Sequence, residues 1–166
     1  MNKIKFIFLR YIILIIIGLL YVTLYKLLFY VTIFPSYFLL KIFYEVSIEG
    51  YILNVVGTEV GVVSACVAGS AYYLLLILNL TTEMKTRKRL FSLLFSLVFL
   101  LIVNIIRISA FSMLLVEDFV YFDIIHSIFW HLMSVLLVIF IWFLTVWIFK
   151  IKNIPVYSDL RLFFRK

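Results

Sequence analysis

The stretch 90–116, LFSLLFSLVFLLIVNIIRISAFSMLLV, decides what kind of protein this is. It carries a single charge, Arg107. At about 1.5 Å per helical residue it is longer than the ~30 Å hydrocarbon core of a bilayer. A run of that length and composition reads as a membrane helix. The remainder of the chain has the same character. Of 166 residues, 67% are hydrophobic and only 14% are charged. A soluble domain is nearer half apolar and a quarter charged, and a disordered chain needs low hydrophobicity, so both classes are excluded.

Working outward from 90–116, three further apolar stretches fit a crossing. Residues 61–82, GVVSACVAGSAYYLLLILNLTT, place Gly61, Ala65 and Gly69 at i, i+4 and i+8. On a helix that makes a face of small side chains suited to close helix packing. Residues 126–149 form another span, and residues 6–25 a retained first span, because no small-residue cleavage site follows it. The segment 27–60 is different. Pro35 suits the first turn of a helix, and Lys41 and Glu45, four apart, share a face. An interfacial helix followed by a re-entrant stretch through SIEGYILNVVGTEV is the expectation there. The predicted fold is thus all-α: one membrane domain, residues 1–166, with four transmembrane helices, an interfacial or re-entrant segment, and a basic tail, 150–166.

Charge supplies the orientation. Twelve of the 15 Lys and Arg residues lie in the first ten residues, in the loop 83–89, or from Lys150 onward. With four spans these regions share one side, which the positive-inside rule makes cytoplasmic. Both termini are then cytoplasmic, and Glu45, Glu49, Glu59, Glu117, Asp118 and Asp123 face the other side. The +7 net charge reports this orientation within a membrane lipid partner, and no nucleic-acid partner is expected. LRLFFRK (160–166) reads as an interfacial anchor. Asn79-Leu80-Thr81 matches a glycosylation sequon but sits at the cytoplasmic end.

Three reactive side chain types fall at similar depth on the outer side. An arginine within a span costs at least about 2.5–3.5 kcal/mol, so Arg107 is expected to face a cavity or the protein interior. Asn104, three residues earlier, extends its polar patch. A lone membrane cysteine is usually a packing residue. Cys66, however, lies near a helix N-terminus, where the dipole favours a thiolate, and beside a small-residue stripe that leaves room for a substrate. His126 has Asp123 three residues before it as an orienting carboxylate. His131 is the alternative, since five residues put the two imidazoles about 140° apart on a helix. No phosphate-binding glycine motif and no HExxH pattern occur, and one Cys with HxxxxH matches no common zinc spacing. No metal or other cofactor is expected.

At these residues the sequence resembles the exosortase/archaeosortase family of polytopic membrane cysteine transpeptidases. The matching blocks are SACVAGSAYYLLL (64–76), NIIRI (104–108) and HSIFWHLMS (126–134), in the family's order. The resemblance implies an enzyme of the cell membrane with an extracytoplasmic active site. Its substrate would be a secreted, membrane-anchored protein ending in a sorting signal: a short motif, a transmembrane helix and a basic tail. The enzyme would cleave near the motif and pass the new C-terminus to a lipid or amine acceptor. Carried over, Cys66 is the nucleophile, Arg107 the transition-state cation and His126 the third member. The family is built with more spans in its larger members, and some archaeal relatives carry an arginine where His126 stands. Two other classes fit the residues without the resemblance: a non-catalytic assembly protein packing through Gly61, Ala65 and Gly69, and a small anion transporter or channel subunit using Arg107.

Overall fold

A computed structural model describes residues 3–63, 66–129, 132 and 134–157. The chain is mostly helical. In order it forms α1 (Lys3–Leu19), α2 (Tyr21–Lys41), β1 (Val46–Glu49), β2 (Ile52–Val55), β3 (Thr58–Gly61), α3 (Gly69–Leu80), α4 (Thr86–Val116), α5 (Phe122–Ile128) and α6 (Ser134–Ile148). Two helices, α2 and α4, are long and apolar enough to cross a membrane, and α3 and α6 are shorter apolar helices. The residues separate into two compact units, one of 1–22, 70–100 and 137–166, the other of 23–69 and 101–136.

In the second unit, α2 places Phe29, Thr32, Ile33, Ser36 and Leu40 in its buried stripe, the i, i+3, i+4, i+7 spacing of an amphipathic helix. That stripe meets Leu53, Val55, Val62, Val67 and Ile108 in one apolar cluster, with Cys66 packed against its edge. The outward side of α2 leaves Leu27, Phe34 and Phe38 exposed. Pro35 lies inside α2 rather than at its start, and Glu45 lies beyond its end. The expected interfacial helix opening at Pro35, with Lys41 and Glu45 on one face, is therefore corrected. Lys41 instead sits 5.4 Å over the Tyr37 ring in the last turn.

The re-entrant expectation is corrected as well. Residues 46–61 form a three-stranded antiparallel meander in the order β1-β2-β3. Val46 pairs with Val55 and Glu49 with Ile52, while Leu53 pairs with Val60 and Val55 with Thr58. Side chains alternate between faces with period two. Val46, Ile48, Leu53, Val55 and Val60 turn toward the apolar cluster, whereas Ser47, Glu49, Glu59 and Gly61 are exposed. Both hairpins have two-residue loops that need a left-handed backbone. Gly50 (φ 61°) supplies it in the first, Val56 (φ 52°) and Gly57 (φ 82°) in the second. Val56, a β-branched residue at positive φ, is strained. A sheet also satisfies the backbone polar groups that an irregular re-entrant loop would leave open.

The other unit contains α1, α3 from Ser70, the first half of α4 and most of α6. It buries Leu75, Leu100 and Ile141 and is tied together by several polar contacts. The Tyr73 hydroxyl donates to the Leu14 carbonyl at 3.1 Å, and a Cβ on Gly18 would come within 2.8 Å of that hydroxyl. Asn79 Nδ2 donates to Ser92 Oγ at 2.7 Å. Asn79 is fully buried. Arg10 donates to the Leu80 and Thr82 carbonyls, and Arg89 to that of Thr82 at 2.8 Å. The C-terminal segment returns to this end of α3 through Val156 N–H to the Thr81 carbonyl.

Three expected spans change in extent. The run 6–25 is divided at Leu20 between α1 and α2, and the described part of 126–149 holds the end of α5, π-helical Phe129 and Leu132, and α6. The run 61–82 opens with the end of β3 and a turn, so α3 begins only at Gly69 and is about 18 Å long. Gly61 and Gly69 consequently do not share a helix, and the proposed small-residue packing face does not form. Ala65, His131 and the anchor 160–166 lie outside the described residues.

Candidate active site

All the described candidate residues fall within the second unit. Cys66 sits in the turn between β3 and α3, its N–H donating to the Val63 carbonyl at 2.9 Å. Two residues later Ala68 adopts φ 57°, a conformation L-residues avoid, before α3 starts. The cysteine is therefore not within a helix, as the sequence suggested, but three residues ahead of one.

Two α4 side chains fix this turn. Asn104 Nδ2 donates to the Cys66 carbonyl at 2.9 Å and Arg107 donates to the same oxygen at 3.1 Å. Spaced i, i+3, they share a helix face. Asn104 is almost wholly buried. Arg107 also reaches Ser134 Oγ at 3.4 Å, and that hydroxyl donates to the Phe129 carbonyl at 3.0 Å. A guanidinium has five N–H donors in a rigid fork, which lets one side chain hold several acceptors at once. A thiolate at Cys66 lies within Coulombic reach of the guanidinium.

His126 lies in α5 against Phe111 and Phe122. Its ring meets Phe111 edge-on at 5.2 Å and stacks on Phe122 at 5.4 Å with an interplanar angle of 7°. Phe111 is four residues, about one turn of α4, beyond Arg107. Among the described residues no hydrogen bond joins the Cys66 sulfur to His126. Asp123, in the first turn of α5, is exposed. At the neighbouring end of α4, Tyr44 donates to Glu117 Oε1 at 2.9 Å, a hydrogen bond that raises the phenol's pKa above its ordinary 10.0.

The structure thus brings Cys66, Asn104 and Arg107 into direct contact and packs His126 against Phe111 and Phe122. The aromatic cage was not foreseen. Its signal was the fourfold spacing of Phe111 from Arg107 and of Phe122 from His126. The contact between Ser134 and Arg107 was not foreseen either. Among the described residues no group of His, Cys, Asp and Glu is suited to a metal ion. What the site defines is a cysteine beside a fixed cation, on a helical scaffold with apolar outer faces. No model of a known protein family, no curated protein and no solved structure matches this chain.

Proposed function

We propose that the protein is an exosortase/archaeosortase-like membrane cysteine transpeptidase. The observation that carries this reading is the double clamp on the Cys66 carbonyl by Asn104 and Arg107, which sets a guanidinium beside a cysteine at a helix N-terminus. A packing cysteine needs neither a cation nor a held peptide.

In the proposed reaction His126 takes the Cys66 proton, and the sulfur attacks the scissile carbonyl of the substrate's sorting signal. The Arg107 guanidinium receives the oxyanion. Collapse of the adduct expels the downstream amine, to which His126 returns its proton, and leaves a thioester on Cys66. A lipid or other nucleophilic acceptor then displaces the sulfur. His126 requires a modest approach of α5 toward Cys66 when substrate is bound, since catalytic hydrogen bonds often tighten only in the complex.

The reading includes a topology. It keeps the four crossings expected from the sequence, with both termini and the loop 83–89 in the cytoplasm and Cys66 on the opposite side. The substrate's own transmembrane helix would then present a bond just outside its apolar stretch. The rival reading as a packing protein drew on a helix face of Gly61, Ala65 and Gly69, and Gly61 belongs to β3. The transporter reading has gained no supporting observation.

The test is Cys66→Ala in cells, followed by mass spectrometry of secreted proteins that carry a C-terminal motif, helix and basic tail. Retention of the C-terminal helix, with a thioester trapped on Cys66 of the unmodified enzyme, is the expected result. Complete processing by the alanine variant overturns the assignment.

A further inference from the structure

The sheet ends in an open edge that leads to the candidate nucleophile. In a two-residue hairpin the pair flanking the loop exchanges backbone hydrogen bonds, and the pairs then alternate. Val55 and Thr58 are such a pair, as are Leu53 and Val60. The Val62 N–H donating to the Tyr51 carbonyl at 2.9 Å continues the series. The N–H and C=O groups of Glu59 and Gly61 therefore point away from β2, along an edge that no other strand of the sheet occupies. Glu59 and Gly61 are both exposed, and a Cβ built on Gly61 meets nothing within 4 Å. Val60, between them, faces the apolar cluster. Cys66 follows five residues on, at most roughly 18 Å away along the chain.

We infer that the outer edge of β3 receives the substrate's peptide as a fourth strand, delivering the scissile bond to Cys66. The inference rests on Cys66 being the nucleophile and adds how the enzyme selects its substrate. Backbone pairing to Glu59 and Gly61 supplies sequence-independent affinity, as in other strand-addition complexes. Selectivity comes from the exposed face of the sheet, which carries the carboxylates of Glu49 and Glu59 and no basic side chain in β1, β2 or β3. A residue placed directly opposite Glu59 shares that face, so a lysine or arginine is favoured there and an acid disfavoured. Opposite Gly61 the open space takes a large side chain. The residue between them turns inward beside Val60 and is apolar.

The test uses the full-length Cys66→Ala protein in detergent micelles. Its probes are two fluorescein-labelled heptapeptides of alternating threonine and valine, one with a central lysine and one with a central glutamate. Fluorescence anisotropy is expected to show the lysine peptide binding about fivefold or more tightly. Glu59→Arg should reverse that preference. Gly61→Pro should weaken both peptides about three- to tenfold by removing an outward N–H without touching the β2 pairing. Each variant is checked for an unchanged thermal unfolding midpoint, and Gly61→Ala, which keeps the N–H, should retain binding. Binding indifferent to Glu59→Arg and Gly61→Pro overturns the docking edge. So does an edge that only pairs two copies of the chain, seen as self-association abolished by Gly61→Pro without peptide binding. Alkylation of Cys66 by iodoacetamide in the unsubstituted protein reports the nucleophile separately. An inert Cys66 with intact peptide selectivity would sink the transpeptidase reading and leave the peptide-binding edge standing.

Discussion

Arg107 combines two roles that different substitutions separate. It holds the Cys66 peptide through its carbonyl, and it supplies positive charge near the sulfur. Lysine keeps the charge but is a point donor that cannot span the Cys66 carbonyl and Ser134 Oγ together. Arg107→Ala should lower substrate processing about 10²–10³-fold, the usual cost of losing an oxyanion donor. Arg107→Lys should fall between that variant and the parent. Asn104→Ala removes one neutral hydrogen bond to the same carbonyl and should cost roughly tenfold or less. Iodoacetamide alkylation of Cys66 across the three variants checks the electrostatic part directly. An Arg107→Ala protein that alkylates at the parental rate would show that the guanidinium does not act on the sulfur.

The helices gave themselves away through charge and hydropathy, but two arginines counted as orientation signals have a further structural part. Arg10 and Arg89 are buried, and both donate to carbonyls at or just past the end of α3, where helix C-termini leave acceptors without intrahelical partners. Arg89→Met keeps the apolar stem and removes a charged hydrogen bond, so it should destabilise the protein by about 1.5–3 kcal/mol. Arg87→Met, two residues away and exposed, is the control and should have little effect. Thermal unfolding in micelles measures the difference, and equal shifts in the two variants would refute the cap. The meander was the element least legible in sequence. Each strand has four residues, too short for a periodic pattern to stand out, and its loops pair glycine with Tyr51 or Val56 rather than with asparagine. The alternation Val46, Ile48 and Leu53, Val55 was there to be read once a sheet was considered. Missing it displaced Cys66 into a helix and created a packing face from Gly61 that strand geometry abolishes. Arg107 and Asn104 were legible for the opposite reason, because a cation and an amide inside a long apolar helix have few places to point.

At the scale of the whole molecule, the basic loop 83–89 and the acidic sheet should lie on opposite sides of one membrane. α4 runs from Thr86 to Val116, about 46 Å, which exceeds the hydrocarbon thickness and allows its two ends different aqueous phases. Its start carries Arg87, Lys88 and Arg89, and the acids Glu117 and Asp118 follow its end. On the proposed topology the first of these is cytoplasmic, as the positive-inside rule expects. Single cysteines placed in a Cys66→Ala background report each side with a membrane-impermeant maleimide. Both Ser47 in β1 and Thr86 at the start of α4 are exposed, so neither site fails through burial. In intact cells Ser47→Cys should label at once, whereas Thr86→Cys should label only after permeabilisation. The reverse pattern would put the sheet and Arg107 nearer the cytoplasm, where a secreted substrate no longer presents its cleavage site. Labelling of both without permeabilisation would mean that α4 does not span the bilayer, and the four-crossing arrangement would fall with it.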